Sequence, residues 1–198
     1  MEHITHLKKD KKLVLLVTEP YTELRIQKNV PLALMASIMS QQLSTKVADV
    51  IHKRFLALYE GKEPSMQEIL DTPFDKLRAI GLSNAKTNYV HNVAKFFIEE
   101  KISNKKLHTM SNEEIITLLT KIKGVGQWTV EMLLMFTLGR EDILALDDLG
   151  IQQAMAKLYK LHKLDKKQLR EKMIKISLKW SPYRTHACLY LWRWKDTK

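Results

Sequence analysis

The chain has 198 residues and a formal charge of +11, from 33 lysine and arginine residues against 22 aspartate and glutamate residues. Its length suits one large domain or two small lobes, and its charge favours a polyanionic partner or an acidic membrane surface. The composition excludes a membrane-spanning helix, which needs about eighteen consecutive apolar residues, and the single cysteine, Cys188, excludes an internal disulfide.

The N-terminal part of the chain predicts one helix followed by an ambiguous stretch. Helical spacing of apolar residues predicts the helix over residues 6–17, whereas residues 18–29 carry no clear pattern. Residues 1–12 lack the apolar core of a signal peptide, so we expect a soluble intracellular protein. The inward face of the first helix is predicted to contain Leu7, Leu13, Leu16 and Val17.

A densely apolar stretch then predicts a buried helix. Pro31 suits the first position of a helix, because its missing N–H would have no partner there. The helix is expected to reach Met39 and to be interrupted by residues 40–43, which read Ser-Gln-Gln-Leu. Ser44 can cap a further helix that extends to Leu58.

Three more helices are predicted before the middle of the chain. Ser65 and Glu68 have the spacing of a capping box, which starts a short helix. Residues 72–81 predict another, because a Thr-Pro pair begins it and a glycine ends it. Residues 83–101 predict a long amphipathic helix with Ala85, Tyr89, Val93, Phe96 and Phe97 on its apolar face.

Residues 111–139 predict two helices joined by a hairpin. Ser111 and Glu114 form a second capping box, and an apolar repeat follows them. The repeat stops at residues 124–126, Gly-Val-Gly, where the glycines permit positive φ. A second helix is predicted from Gln127 to the glycine that closes the stretch. Its first N–H groups could bind a phosphate, although a helical turn without a ligand explains this pattern equally well.

Two adjacent carboxylates follow the hairpin, in the Asp-Asp-Leu-Gly sequence of residues 147–150. Asp148 is placed to cap the next helix. Asp165 is expected to cap a lysine-rich helix, and Pro182 to open the last one. No segment has the alternation of a strand, so the sequence predicts an all-α fold of about ten helices.

These motifs together resemble the helix-hairpin-helix–GPD superfamily of DNA glycosylases. Within it, the chain resembles the alkylbase branch, the 3-methyladenine DNA glycosylase II type. The resemblance depends on GVGxWT at residues 124–129, DDLG at residues 147–150 and WxPYR at residues 180–184, in that order. It extends over most of the chain, from about residue 31 to about residue 195.

The resemblance implies a domain organisation. Residues 1–198 would form a single glycosylase domain in two helical lobes, one of which contains both ends of the chain. The helix-hairpin-helix motif of residues 111–139 would lie beside the cleft between the lobes.

The activity implied by the resemblance is removal of alkylated purines, such as 3-methyladenine and 7-methylguanine, from duplex DNA in base excision repair. The essential aspartate of the family corresponds to Asp148. Relatives that also cut the backbone carry a nucleophilic lysine at the position of Trp128, so the indole predicts a monofunctional, hydrolytic enzyme. Two alternatives stay open: a bifunctional glycosylase and AP lyase that uses Lys121 or Lys123, and a non-catalytic helix-hairpin-helix DNA-binding module.

The resemblance also assigns DNA-binding residues, beginning with the wedge that replaces a flipped base. By alignment Gln42 takes the wedge position, within the stretch Gln41, Gln42 and Leu43. Further DNA contacts are expected from Lys86, Lys123, Gly124, Val125 and Gly126. The pocket for the flipped base is expected to contain Trp128, Met132 and Trp192, although buried core positions would equally explain the two tryptophans.

We expect no required cofactor. By resemblance, the backbone carbonyls of Thr120, Ile122 and Val125 would hold a monovalent cation, Na⁺ or K⁺, and the chain lacks the four cysteines of an iron–sulfur cluster. The expected partner is double-stranded DNA that contains alkylated bases, and not a membrane. The protein is expected to act as a monomer, in the cytoplasm at the nucleoid or in the nucleus of a eukaryote.

Overall fold

The computed structural model describes residues 2–18, 24 and 26–197, and every regular element in that part of the chain is a helix. The prediction of an all-α fold is confirmed. None of the described helices combines the length and the apolar character that crossing a membrane requires. The α-helices, in chain order, are α1 (Glu2–Leu7), α2 (Val30–Ser40), α3 (Thr45–Ala57), α4 (Met66–Asp71), α5 (Phe74–Ala79), α6 (Asn84–Glu99), α7 (Asn104–Thr109), α8 (Asn112–Leu119), α9 (Gln127–Phe136), α10 (Leu149–Tyr159), α11 (Lys166–Ser177) and α12 (Arg184–Asp196), and two 3-10 helices span Leu13–Leu15 and Leu178–Trp180.

The helix starts follow the signals in the sequence. In both predicted capping boxes, the hydroxyl of Ser65 or Ser111 accepts a hydrogen bond from the glutamate N–H, and the glutamate side chain accepts one from the serine N–H. Ser44 caps α3 and Asp165 caps α11, both as predicted. These caps satisfy N–H groups that have no partner inside the helix.

The chain divides into two compact units. Unit 1 combines Met1–Ile26 with Leu134–Lys198, and unit 2 comprises Gln27–Leu133. Unit 1 therefore contains residues from both ends of the chain.

Unit 2 is built around α6, which packs against α2, α4 and α5, while α2 also packs against α3. The predicted apolar face of α6 is only partly correct, because Tyr89 and Phe96 are half-buried and Ala85 is exposed. Tyr89 packs over Gly124 of the hairpin instead of entering the core. The buried face of α6 consists of Thr87, Val90, Val93, Ala94 and Phe97.

Unit 1 is centred on α10, which packs against α11 and α12. Every residue of α12 from Thr185 to Leu191 is buried. Cys188 is among them, so this free thiol lies in the core of unit 1.

The predicted helix over residues 6–17 is wrong. The chain forms α1, then a turn, then the 3-10 helix Leu13–Leu15. Asp10 interrupts the helix because its Oδ1 accepts hydrogen bonds from the N–H groups of Lys12 and Leu13, which offers the backbone an alternative to helical bonds. The residues predicted to face inward are nevertheless buried: Leu7, Leu13, Leu16 and Val17. The neighbouring stretch 18–29, for which the sequence predicts no element, lies partly outside the described residues.

The side chain of Asp10 also ties the N-terminal segment to the rest of unit 1. Its Oδ2 accepts hydrogen bonds from the Tyr159 hydroxyl at 2.7 Å and the Trp180 indole at 3.0 Å, and it pairs with Lys179 Nζ at 2.9 Å. Burial raises the pKa of the Asp10 carboxyl, but the bonds from Lys179, Tyr159, Lys12 and Trp180 outweigh burial and hold that pKa well below its usual range.

We therefore expect Asp10→Asn to destabilise the protein by about 3 kcal/mol at pH 7, because it removes a buried charge that five groups contact. The ionised carboxylate binds these donors more tightly than the protonated one, so this contribution is complete above the unfolded pKa of 3.8 and is lost progressively as the pH falls from there toward the lower folded pKa. Urea unfolding of both proteins from pH 7 to pH 2.5 measures the difference. Glu99→Gln, which removes a surface ion pair with Lys95, is the control and should cost under about 1 kcal/mol. A stability difference for Asp10→Asn that stays constant over this pH range would contradict the assignment.

Candidate functional site

The hairpin between α8 and α9 depends on close packing at Gly124. Its φ is +103°, a conformation that side chains rarely adopt, and a Cβ at this position would lie 2.2 Å from the ring of Tyr89. The turn is closed by the Val125 N–H, which donates to the Ile122 carbonyl at 3.0 Å. Asn92 Nδ2 donates to the Lys123 carbonyl at 3.0 Å, so α6 supports the hairpin from one side.

The second glycine of the hairpin has a different role from the one expected. Gly126 does not have a left-handed φ, and a Cβ there would meet nothing within 4 Å. Its carbonyl accepts the N–H of Val130 at 3.2 Å, which begins α9. The open space beside Gly126 suits close approach of another molecule to the backbone. The helix ends as predicted with a glycine beyond it, since Gly139 has φ +64°.

The predicted wedge stretch forms the loop between α2 and α3. Gln42 has φ +60° and is exposed, and Leu43 is 38% exposed. Gln41 is anchored, because its side-chain Nε2 donates to Thr129 Oγ1 in α9 at 3.2 Å. The loop therefore exposes Gln42 next to a residue, Gln41, that is held in place.

Lys86 lies against the same loop. Its ammonium donates to the carbonyls of Met39 at 2.9 Å and Gln41 at 2.7 Å. Burial lowers the pKa of Lys86. The sequence suggested a phosphate contact for this lysine, whereas the structure places its ammonium on the protein backbone. Lys123, by contrast, is exposed on the hairpin.

Asp148 caps α10 and contacts a second element of unit 1. Its Oδ1 accepts the Ile151 N–H at 2.8 Å, as the predicted cap requires, and the Trp192 indole N–H at 2.8 Å. The carboxylate stands at the N-terminal end of α10, where the helix dipole is positive. Trp192 is half-buried and its ring centroid lies 6.0 Å from that of Phe136.

Gly150 makes this arrangement possible. A Cβ at position 150 would lie 3.0 Å from Asp148 Oδ1 and 3.2 Å from the Trp192 ring. A glycine in the first turn of a helix costs conformational entropy, so its presence after two aspartates was a signal of close packing. The contacts around Gly150 were not predicted from the sequence.

The neighbouring carboxylate is directed elsewhere. Asp147 forms an ion pair with Arg170 of α11, and both side chains are partly exposed. Its contact therefore lies at the surface of unit 1.

The remaining predicted pocket residues lie in unit 2. Trp128 and Met132 are both half-buried on α9, one turn apart. Between them, Glu131 is buried and its Oε1 accepts a hydrogen bond from Gln127 Nε2 at 2.9 Å. Their role in holding a base stays a prediction, as does that of Trp192.

The predicted cation site consists of backbone atoms at the hairpin. Thr120, Ile122 and Val125 lie within the turn that follows α8, and carbonyl oxygens are ligands that hard cations accept. The Ile122 carbonyl also receives the Val125 N–H, which leaves its second lone pair for an ion. In the described part of the chain, no three His, Cys, Asp or Glu side chains are grouped to hold a metal ion.

The WxPYR motif serves the fold of unit 1. The Trp180 indole donates to Asp10, and Arg184 forms an ion pair with Asp142 at 2.6 Å. The resemblance depends on this motif without explaining what its residues do. These two contacts show that Trp180 and Arg184 stabilise unit 1.

Comparison with known proteins places these features in a family. The model of the HhH-GPD superfamily of base excision DNA repair proteins matches residues 35–178. DNA-3-methyladenine glycosylase 1 of Schizosaccharomyces pombe is 38% identical over 177 residues, which cover 88% of this chain and 72% of that protein.

Two solved structures are similar over nearly the whole chain. The S. pombe 3-methyladenine DNA glycosylase Mag1, in complex with abasic DNA, has a TM-score of 0.83 and 34% identity, and the match covers 98% of this chain and 96% of that one. The DNA-3-methyladenine glycosidase of Bacillus halodurans has a TM-score of 0.86 and 31% identity, with 100% of this chain and 90% of that one covered.

Proposed function

This chain belongs to the HhH-GPD superfamily of base excision DNA repair proteins, and from that premise we propose that it is a monofunctional DNA glycosylase that removes alkylated purines from duplex DNA. The relatives that support this proposal are named 3-methyladenine DNA glycosylases, at 31% to 38% identity. The enzyme would hydrolyse the N-glycosyl bond and leave an abasic site.

The geometry of Asp148 is the observation that carries the proposal. Two donors, the Ile151 N–H and the Trp192 indole, hold one oxygen of the carboxylate in place. A fixed carboxylate can stabilise the positive sugar that forms as the base departs, or orient the attacking water, without reorganising during the reaction. A carboxylate repels the phosphates of DNA, so a non-catalytic DNA-binding module gains no affinity from one. The fixed Asp148 carboxylate therefore favours the enzyme over the DNA-binding module.

The chemistry of alkylated purines explains why one carboxylate suffices. Glycosidases normally use two carboxyl groups, one of which protonates the leaving group. Methylation at N3 or N7 makes the purine cationic, so it departs as a neutral base without an acid. Asp147, the nearest carboxylate in sequence, is engaged with Arg170.

The absence of a lysine at position 128 argues against lyase chemistry, because a Schiff base needs a nucleophilic amine. We therefore expect borohydride to trap no covalent enzyme–DNA complex while the base is being released. Denaturing electrophoresis of reactions on alkylated DNA measures this, with a bifunctional glycosylase as the positive control. A trapped complex that disappears in Lys121→Gln or Lys123→Gln would support the bifunctional alternative.

Duplex DNA is the partner that this function requires, and the net charge of +11 suits binding to its phosphates. Gln42 on its exposed loop would fill the space left by the flipped base, while Lys123 and the hairpin backbone around Gly126 would contact the strand. A Na⁺ or K⁺ ion on the hairpin carbonyls would contribute charge at the phosphate contact. One monomer would carry every element that this mechanism uses.

The direct test is to incubate the protein with methylated duplex DNA and identify the released bases by chromatography. Release of 3-methyladenine and 7-methylguanine is the expected result. Tight duplex binding without release of any base would instead favour the non-catalytic module.

A further inference from the structure

We infer that Lys86 is a positioning residue, which holds the α2–α3 loop in the conformation that presents Gln42 to the DNA. This inference rests on the proposed glycosylase function. It gives Lys86 a role different from a phosphate contact, and the two roles predict different experimental results.

The first support is the position of the lysine within α6. Ser83 caps this helix, and its hydroxyl accepts the Lys86 N–H at 3.3 Å, so Lys86 lies in the first turn. A cation is unfavourable there, because the helix dipole is positive at that end. A lysine at such a position needs a compensating partner elsewhere.

The partner is the C-terminal end of α2. The helix ends at Ser40, where the Gln41 N–H donates to the Ile38 carbonyl, and carbonyls at a helix end lack the N–H groups of a following turn. Lys86 Nζ donates to two of the carbonyls at this end, those of Met39 and Gln41, where the helix dipole is negative. One cation thus joins the start of α6 to the end of α2.

The loop that follows needs this support. Gln42 has φ +60°, a left-handed conformation that is unfavourable for residues other than glycine. Gln41, immediately before it, is held at its carbonyl by Lys86 and at its side chain by Thr129 of α9. These two contacts fix the loop before any DNA is bound, so binding does not have to order it.

The motif Gly81-Leu82-Ser83-x-x-Lys86 has a structural explanation on this basis. A Cβ at Gly81 would lie 2.7 Å from the Ile51 side chain, and Leu82 is buried, so the turn into α6 is fixed. The cap at Ser83 then sets the direction in which the lysine leaves the helix.

The experiment compares Lys86→Met with two matched variants. Lys95→Met changes an exposed lysine of the same helix that pairs with Glu99 on the surface, and Lys123→Met changes the exposed lysine of the hairpin. Two DNA substrates are used, one with 7-methylguanine in a full duplex and one with the lesion opposite a gap, where it is already unpaired.

We expect Lys86→Met to slow single-turnover excision from the full duplex at least about tenfold, because small displacements of a positioned group cost rate steeply. Excision from the gapped substrate should change less than about threefold, because that base needs no wedge. Lys95→Met should leave both rates unchanged, and Lys86→Arg, which can still donate to both carbonyls, should restore most of the duplex rate.

Two further measurements separate the possible roles. The first is the slope of the logarithm of duplex affinity against the logarithm of salt concentration. This slope should be unchanged in Lys86→Met and should decrease by about one in Lys123→Met. Loop insertion is followed without catalysis by the fluorescence of 2-aminopurine opposite a non-cleavable abasic analogue, and Lys86→Met should weaken that signal. If Lys86→Met folds poorly, Thr129→Val removes the other tether and should lower the duplex rate alone.

Three results would overturn the role of Lys86. A reduced salt slope with normal fluorescence in Lys86→Met would indicate a phosphate contact, and equal losses of excision rate on both substrates would indicate a purely structural residue. Unchanged fluorescence in both Lys86→Met and Thr129→Val would show that neither contact positions the loop. Absence of base release by the unmodified protein would instead refute the proposed function, and the fluorescence would still test the loop.

Discussion

Replacement of Asp148 by asparagine should lower the rate of base excision about a thousandfold while leaving DNA binding intact. Opposite unit charges about 4 Å apart, at an effective dielectric near 20, interact by roughly 4 kcal/mol, which corresponds to about three powers of ten in rate. Asparagine is a suitable replacement because its amide oxygen can still accept the Ile151 and Trp192 N–H groups. The substitution therefore removes the charge and keeps the helix cap.

The measurement is single-turnover excision of 7-methylguanine from a duplex oligonucleotide, with binding to an abasic duplex followed by fluorescence anisotropy. Asp147→Asn is the matched control, because it removes the adjacent charge and breaks only the surface pair with Arg170. That control should stay within about threefold of the original rate. An Asp148→Asn enzyme with a rate that close to the original would show that the carboxylate is only a cap.

Cationic lesions should be excised faster than neutral ones by two or more orders of magnitude. 3-methyladenine and 7-methylguanine depart unaided, whereas hypoxanthine or an etheno adduct needs a proton donor, which the one-carboxylate mechanism does not include. Stacking of a cationic base on an indole adds about 0.5 to 2 kcal/mol, which accounts for only part of that difference. Single-turnover rates on oligonucleotides that differ only in the lesion give the ratio directly.

Two substitutions at Trp192 divide the contribution of the ring from that of its N–H. Trp192→Phe keeps an aromatic face and removes the donor to Asp148, so it should lower the excision rate of every lesion by a similar factor. Trp192→Ala removes both the ring and the donor, so it should lower the excision rate of cationic lesions further. Binding to undamaged duplex should stay nearly unchanged. Similar rates on cationic and neutral bases in the unmodified enzyme would indicate an acid elsewhere and would refute the one-carboxylate mechanism.

Much of the fold could be predicted from local patterns in the sequence. The helix caps at Ser65, Ser111 and Asp148 depend on residues three positions apart, and so does the Val125–Ile122 bond that closes the turn at Gly124, so the sequence displays them directly. The all-α fold followed from the same periodicity.

Contacts between distant residues were not predictable in this way. Lys86 is 45 residues from Gln41, and Trp192 is 44 residues from Asp148, so neither pairing appears in any sequence window. The N-terminal helix was predicted wrongly although the bonds that interrupt it, from the Lys12 and Leu13 N–H groups to Asp10 Oδ1, are local. The partners of Asp10 Oδ2, which lie 149 and 170 residues away, are the part that no sequence window shows. The resemblance singled out Trp192 and Lys86, and the structure adds the contacts that each of them makes with the rest of the chain.

The division of the chain between the two units also sets an order of events during synthesis. Residues leave the ribosome at about 5 to 20 per second, and a domain generally folds once all of its chain has emerged. Unit 2, Gln27–Leu133, is continuous and can fold while the ribosome is still translating α10 to α12. The N-terminal segment must wait for Tyr159 and Trp180 before Asp10 has its partners. Asp148 likewise acquires its indole donor only when position 192 has been added, so a nascent chain contains the α2–α3 loop and the hairpin before the contact between Asp148 and Trp192 can form.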